Sequence, residues 1–328
     1  MTPDLPAELK VALERKAEGL SRNDAARRAG AISQAYRGGG DSKTIRSDED
    51  ALAYALARMP ATYAAVAACL TAMIATRPDF APTSLLDVGA GPGTATWAAA
   101  QAFSSLRAFT LLDSNASLRN LAIDFARSTS HLSSIDCQQG DALKLLANAP
   151  SADLVVASYL VGELGQAERV RLADAMWSKT SDTLLILEPG TPAGYARMIE
   201  LRARLIAAGA HVVAPCPHDD TCPLVAPDWC HFSQRLARSR AHKLLKGAEL
   251  PFEDEKFSYV VLSRNAVAQR PARVLTQPKI SKVAVTMKLC TAASVEIVNV
   301  PHRDKANYSR ARKLNWGNAA PEKNSAPE

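Results

Sequence analysis

No run in this 328-residue sequence approaches about 20 uninterrupted apolar residues, so no segment is expected to span a bilayer. The first residues, MTPDLPAELKVALERK, lack the charged-then-apolar organisation of a secretion signal, and the expected address is cytoplasmic, bacterial-type, or an organellar matrix. Internal repeats and paired Cys-x-x-Cys knuckles are also missing, which argues against a solenoid and against a zinc ribbon. What is present suffices for a full core: 47% of residues are hydrophobic, enough for one large domain or two unequal ones.

The net charge of +6 is unevenly spread, because residues 231–328 carry 18 Lys and Arg against 8 Asp and Glu. A positive segment of this kind suits a phosphate backbone through counterion release. Residues 1–80 read as helices, with apolar residues recurring at three and four positions through VALERKAEGL, SRNDAARRAGAISQAYR and DEDALAYALARMPATYAAVAACLTAMIATR. This section is expected to pack on a following sheet and partly cover a ligand site. From 81 to 268, SLLDVG, AFTLLD, IDCQQGD, ADLVVASYLV and TLLILEP alternate with helix-compatible stretches, predicting an α/β domain with a parallel sheet. Within it, HVVAPCPHDDTCPLVAPDWCHF has neither periodicity and reads as a loop. Residues 269–328 read as a basic extension of three short strands, ending in a tail of disordered composition.

A sharp glycine-rich turn, Asp87-Val88-Gly89-Ala90-Gly91-Pro92-Gly93, follows the first strand and precedes a helix starting near Thr94. Glycines let backbone turn tightly and approach a ligand where a Cβ would obstruct it. Asp113, at the end of a second strand about twenty residues on, is placed to bind ribose hydroxyls, and Asp141 after a third strand is placed near an adenine edge. The spacing is closer to the class I S-adenosylmethionine (SAM) methyltransferase pattern than to the dinucleotide fingerprint. Cofactor-binding candidates are therefore Asp87, Gly89, Gly91, Gly93, Asp113 and Asp141.

No catalytic motif accompanies this loop. Amino-directed base methyltransferases carry Asn or Asp, Pro-Pro and an aromatic at the end of the fourth strand, where this chain has Ser158-Tyr159-Leu160. Attack on pyrimidine C5 needs a Pro-Cys nucleophile, and no cysteine lies near that strand or the next. Tyr159 can stack on a base and Glu163 can accept a proton. Each also reads as an ordinary residue, Tyr159 a half-buried aromatic and Glu163 a surface or capping group.

Six cysteines divide into a core residue, Cys69, an isolated one, Cys137, and a set of four at Cys216, Cys222, Cys230 and Cys290. These four lie among Pro, Asp and His, and in a reducing compartment metal or redox chemistry is the leading account of them. Wide, irregular spacing with a remote fourth thiolate suits a four-iron, four-sulfur cluster, with zinc the alternative. His218 and His231 flank the set as outer partners or substitute ligands. A cluster held this way would staple the loop to the basic extension.

Taken together, RRAGAISQAYRGG, ALAYALARMPATYAAV, LLDVGAGPGTATWAA, LEPGTPAGY, APCPHDDTCPL, DWCHFSQRLARSRAHKLLK, FEDEKFSYVVLSR and YSRARKLNWG resemble the Rsm22 family, the methyltransferase-like proteins of the mitochondrial small ribosomal subunit and their bacterial relatives. The cysteine run with DWCHF is the most specific part. The resemblance implies a class I methyltransferase fold that binds SAM, a [4Fe-4S] cluster on the four cysteines, and association with small-subunit rRNA during assembly, with methyl transfer itself in question. An active RNA methyltransferase and, less so, a small-molecule methyltransferase are the competing readings, and a monomer off the ribosome is expected. Arg235, Arg238, Arg240, Lys243 and Lys246 are read as a basic helix that binds phosphates, with Lys279, Lys282, Lys288, Arg310, Arg312 and Lys313 extending the surface.

Overall fold

A computed structural model describes residues 3–132 and 134–320. Three helices open the chain: α1 (Ala7–Ala17), α2 (Arg22–Arg37) and α3 (Asp48–Thr76). They lead into β1 (Ser84–Val88), α4 (Thr94–Ala102), β2 (Ala108–Asp113), α5 (Ala116–Ala126), β3 (Asp136–Gln139), α6 (Ala142–Asn148), β4 (Ala152–Ser158), α7 (Gln166–Lys179), β5 (Thr180–Pro189) and α8 (Pro192–Ala207). Then come β6 (His211–Ala214), β7 (Phe232–Ala237), α9 (Arg240–Leu245) and β8 (Phe252–Ser263). The C-terminal part holds β9 (Ala272–Val274), β10 (Lys279–Ile280), β11 (Ala284–Cys290), β12 (Val295–Pro301), α10 (Lys305–Ala311) and β13 (Ala319–Ala320).

The first sheet has the order β3-β2-β1-β4-β5-β8-β6. Its first five strands are parallel, and β8 returns antiparallel beside β5. The chain order reverses between β1 and β4, so the crevice at their C-terminal ends is where such sheets take ligands. The alternation predicts this wound, largely parallel sheet, and its strand order is the class I SAM-methyltransferase architecture. Strands β4 and β5 bury residues on both faces, as strands covered by helices on each side must.

Helix α3 is made mostly of small and apolar residues because it packs against sheet and helices at once. Ala51, Ala55, Met59, Tyr63, Val66, Leu70 and Met73 join the main core, while Ala61 and Ala64 meet Leu236 of β7. Among the described residues it is the one helix long and apolar enough to cross a membrane, and the core it enters accounts for that composition.

Three expected features differ. The cysteine-rich stretch begins and ends in strands, since β6 and β7 lie end to end along the same edge of β8, pairing with Val261–Ser263 and Phe252–Phe257 respectively. The run from Arg235 to Lys246 is no continuous basic helix: Arg235 sits in β7, and only Arg240–Leu245 are helical. Cross-strand pairing with the acidic start of β8 outweighs its helical spacing, with Arg235 on Asp254 at 2.8 Å and Arg238 on Glu253 at 3.0 Å. The basic extension also has more structure than three strands. It forms a five-stranded sheet with its own core of Val274, Val285, Met287, Leu289 and Tyr308, the last from α10. The tail end, residues 321–328, lies outside the described residues.

The exit from β5 is set by local sequence. Thr191 Oγ1 accepts from Gly194 N at 3.0 Å to cap α8, with Pro192 at its first position. A Cβ on Gly194 would stand 2.0 Å from the Pro189 carbonyl oxygen, a backbone atom with no room to retreat. Gly194→Ala is expected to cost about 3 kcal/mol in a denaturant melt. Gly30→Ala, in α2 with open space around the new Cβ, should instead stabilise by about 0.5–1 kcal/mol. Equal effects at the two sites would refute the packing argument.

Candidate functional site

The glycine loop leaves β1 in left-handed conformations, with φ of 68° at Gly89, 55° at Gly91 and 79° at Gly93. At Gly89 a Cβ would press on the Leu160 side chain at 2.8 Å, whereas at Gly91 it would meet nothing within 4 Å. The loop backbone at Gly91 therefore borders open space at the mouth of the β1–β4 crevice. Asp113 is bent toward it, its Oδ2 accepting from Gly91 N and its Oδ1 from Asn115 N, both at 2.7 Å. Burial raises the Asp113 pKa, and those two amides oppose the rise. Asp141 caps α6 through Oδ1, which accepts from Lys144 N at 3.0 Å.

Asp87 is fully buried below the loop. Its Oδ2 accepts from Thr96 N at 3.1 Å and from Thr96 Oγ1 at 2.7 Å, while Oδ1 has no protein partner. Burial pushes its pKa up to about 7, against the pull of the Thr96 hydrogen bonds. A buried carboxylate oxygen without a donor is costly, and a cation or donor bound in the crevice would relieve it.

The segment joining α2 to α3 lies across this crevice. Ser42 bridges its two lips: its carbonyl accepts from Asn115 Nδ2 at 3.2 Å, and its amide donates to Glu163 Oε2 at 3.1 Å. Asn115 Nδ2 also donates to the Ile45 carbonyl at 2.8 Å. Glu163 is thus a tether for the covering segment, and burial raises its pKa.

Tyr159, at the end of β4, has φ of 59°, a strained value for a bulky residue. Its hydroxyl donates to Glu255 Oε1 at 2.8 Å, and Arg58 Nη2 binds the same oxygen at 2.8 Å. The place where an acceptor base would meet the fourth strand is therefore lined by a closed Tyr159–Glu255–Arg58 network. A second buried acid, Glu188 at the end of β5, takes Arg197 Nε and Nη2 at 3.0 and 2.8 Å and the Gly162 amide at 3.3 Å. Nothing in the local sequence around Arg58 or Glu255 marks either as part of this site. Only the position of Glu188, acidic at the end of an apolar strand, signalled it.

The four cysteines are brought together. Cys216 follows β6, Cys230 precedes β7, Cys222 lies between, and Cys290 ends β11 of the second sheet; all four line one small cavity with Tyr195, Arg202, Tyr259 and Arg273. The cavity sits where the edge of β8 is uncovered between β6 and β7, opposite Ser258 and Tyr259, and Ser258 Oγ donates to the Cys230 carbonyl at 2.8 Å. All four thiols are free of disulfides. Tyr195 Oη donates to Cys222 Sγ at 3.2 Å, and His218 Nε2 lies 3.8 Å from Cys290 Sγ. His231 is instead packed between Trp229 and Trp316.

Burial raises the thiol pKa values of Cys216, Cys230 and Cys290, the last to about 12, and the neighbouring thiols add to the rise at each. Arg202 and Arg273, each 3% exposed, pull the other way at Cys216 and Cys290. Four thiolates in this cavity would require further positive charge to coexist. In this conformation no group of three or more His, Cys, Asp or Glu among the described residues is drawn together closely enough to hold a metal ion.

Most of the expected phosphate-binding residues fall into two sets. Arg235 is paired with Asp254, Arg238 and Lys246 share Glu253, and Lys288 binds Asp228, so their charge is locally met. Lys243 is half-buried in α9, and the side chain of Arg240 lies outside the described residues. Lys279, Lys282, Arg310, Arg312 and Lys313 face solvent on the C-terminal sheet and its helix.

Comparison with known proteins places these features in context. The human mitochondrial ribosome assembly protein METTL17 is 29% identical over 290 residues, 82% of this chain and 62% of that protein. The mitochondrial Rsm22-cox11 tandem protein 2 of Schizosaccharomyces pombe is 26% identical over 261 residues, 72% of this chain and 34% of its own length. The chain thus spans less than two thirds of either relative. Among solved structures, the magnesium protoporphyrin IX methyltransferase of Synechocystis PCC 6803 matches with a TM-score of 0.42 at 10% identity, over 79% of this chain and 98% of that one. The family model for the mitochondrial small ribosomal subunit protein Rsm22 matches residues 48–321, from the start of α3 to just past β13, and the chain belongs to the Rsm22 family.

Proposed function

We propose that this protein binds SAM, carries a four-iron, four-sulfur cluster on Cys216, Cys222, Cys230 and Cys290, and binds small-subunit rRNA to assist ribosome assembly. The observation that carries the reading is the gathering of the four cysteines, from two sheets, around one cavity. A single zinc ion needs four sulfurs at about 2.3 Å from one point. Thiolates spaced around a cavity fit a polynuclear centre better, since its iron atoms lie apart. When bound, the cluster supplies positive charge to the thiolates and joins the two sheets.

In the crevice, the Gly89, Gly91 and Gly93 backbone approaches the cofactor, Asp113 holds the ribose hydroxyls and Asp141 lies toward the adenine. Asp87 offers its unpartnered oxygen. SAM supplies an activated methyl group and a positive sulfonium, whose charge suits an acid-lined crevice. Because the Tyr159 hydroxyl is committed to Glu255, binding rather than methyl transfer is the role this reading assigns. Lys279, Lys282, Arg310, Arg312 and Lys313 supply the phosphate contacts, in keeping with the ribosome assembly role named for the human relative.

Anaerobic purification with iron and sulfide quantification tests the proposal. The expected product is brown, absorbs near 400 nm, and holds about four iron and four sulfide per chain. It should also sediment with small-subunit particles in a salt-sensitive manner. Colourless protein with one zinc per chain would overturn the cluster in favour of the alternative ion.

A further inference from the structure

Arg202 comes from α8 and reaches the cysteine cavity fully enclosed, with 3% of its surface exposed. Its Nη2 donates to the His218 carbonyl at 2.7 Å, and its guanidinium lies against the Cys216 thiol, which it favours in the ionised form, while its Nε is left without an oxygen or nitrogen acceptor. An enclosed guanidinium N–H without an acceptor is among the more expensive states a side chain can occupy. Arg273, from the second sheet, is equally enclosed, yet its Nε and Nη1 are satisfied by the Pro215 and Gly317 carbonyls at 3.2 and 3.0 Å. Two buried cations therefore flank four thiols, and no carboxylate lines the cavity with them.

We propose that Arg202 is a positioning residue of the cysteine site, donating its free Nε–H to a sulfur acceptor there and, with Arg273, holding an anionic thiolate-bound centre in its more reduced state. The inference rests on the cluster reading above. A cluster with four thiolates is anionic and gains a further negative charge on taking an electron. Hydrogen bonds to sulfur and nearby positive charge favour that reduced form, which raises the reduction potential. A lysine keeps the charge but loses the Nε–H fork, and methionine loses both.

The test is a dithionite titration of anaerobically purified wild type, Arg202→Met and Arg202→Lys, monitored by absorbance near 400 nm, with iron quantified in each. Arg202→Met should retain iron but shift the oxidised-to-reduced ratio at fixed potential at least tenfold toward oxidised, equivalent to a fall of 59 mV for one electron. Arg202→Lys should shift the same way by less. A potential equal to wild type in an iron-loaded Met variant overturns the proposal. Should the Met variant fail to load, an unshifted Lys variant overturns it, and failure of both to load, with wild type loaded, assigns Arg202 to loop support through His218 alone and overturns it too. Wild type without iron would instead overturn the cluster reading beneath it.

Discussion

Purified Cys290→Ser protein is expected to lose its brown colour and fall from about four iron per chain to below about one, because a serine hydroxyl, much harder to ionise, is a far poorer iron ligand than a thiolate. Cys290 is the one cysteine of the set contributed by the second sheet, so its loss also cuts the link between β11 and the loop joining β6 to β7. Metal-coupled stability should disappear with it. Trypsin cleavage within residues 279–313, rich in exposed Lys and Arg, should accelerate at least about tenfold as the sheet opens locally. Cys137→Ser, a half-buried thiol outside the cavity, is the control and should keep iron and resistance alike. Full iron content in the Cys290→Ser protein would dismiss the four-cysteine assignment.

Asp87→Asn is expected to change how stability depends on pH more than any other single replacement in the crevice. The folded carboxyl titrates at about 7 and its reference value is 3.8. The folded state therefore retains a proton that the unfolded state has released, and the contribution from this group is fully present below pH 3.8 and lost as pH rises through 7. The span corresponds to about 4 kcal/mol. Denaturant melts of wild type minus Asp87→Asn should show that difference developing between pH 4 and pH 8, other groups cancelling between the two proteins. SAM binding measured by calorimetry should strengthen from pH 6 to pH 8 in wild type, since the sulfonium favours the ionised acid, and stay flat in the variant. A difference between the proteins that ignores pH would show that Asp87 ionises at an ordinary value.

The parts of the fold that could be read from sequence are those fixed by near neighbours. The glycine loop and the start of α4 at Thr94 each depend on residues within a few positions of one another. β6 and β7 were hidden because each is short, and the Pro and Cys between them erase any period. The helical spacing of Arg235, Arg238 and Lys246 misled because it ignores Glu253 and Asp254, which arrive later and claim those charges across a strand pair. Nothing local announces that Arg58, Tyr159 and Glu255 meet, as 197 positions separate the first from the last. The cysteine grouping could be anticipated because residue type, in company with Pro, Asp and His, marks a thiol as out of place in an ordinary loop.

The strap over the crevice has one more bearing. Ser42 and Ile45 are moored by three hydrogen bonds, two to Asn115 and one to Glu163, next to a Gly38-Gly39-Gly40 run whose amides all donate to carbonyls at the end of α2. On the proposed SAM-binding reading, a nucleoside seated beneath would be enclosed by these contacts, and weakening Asn115 or Glu163 would be expected to hasten its exchange without altering what is recognised.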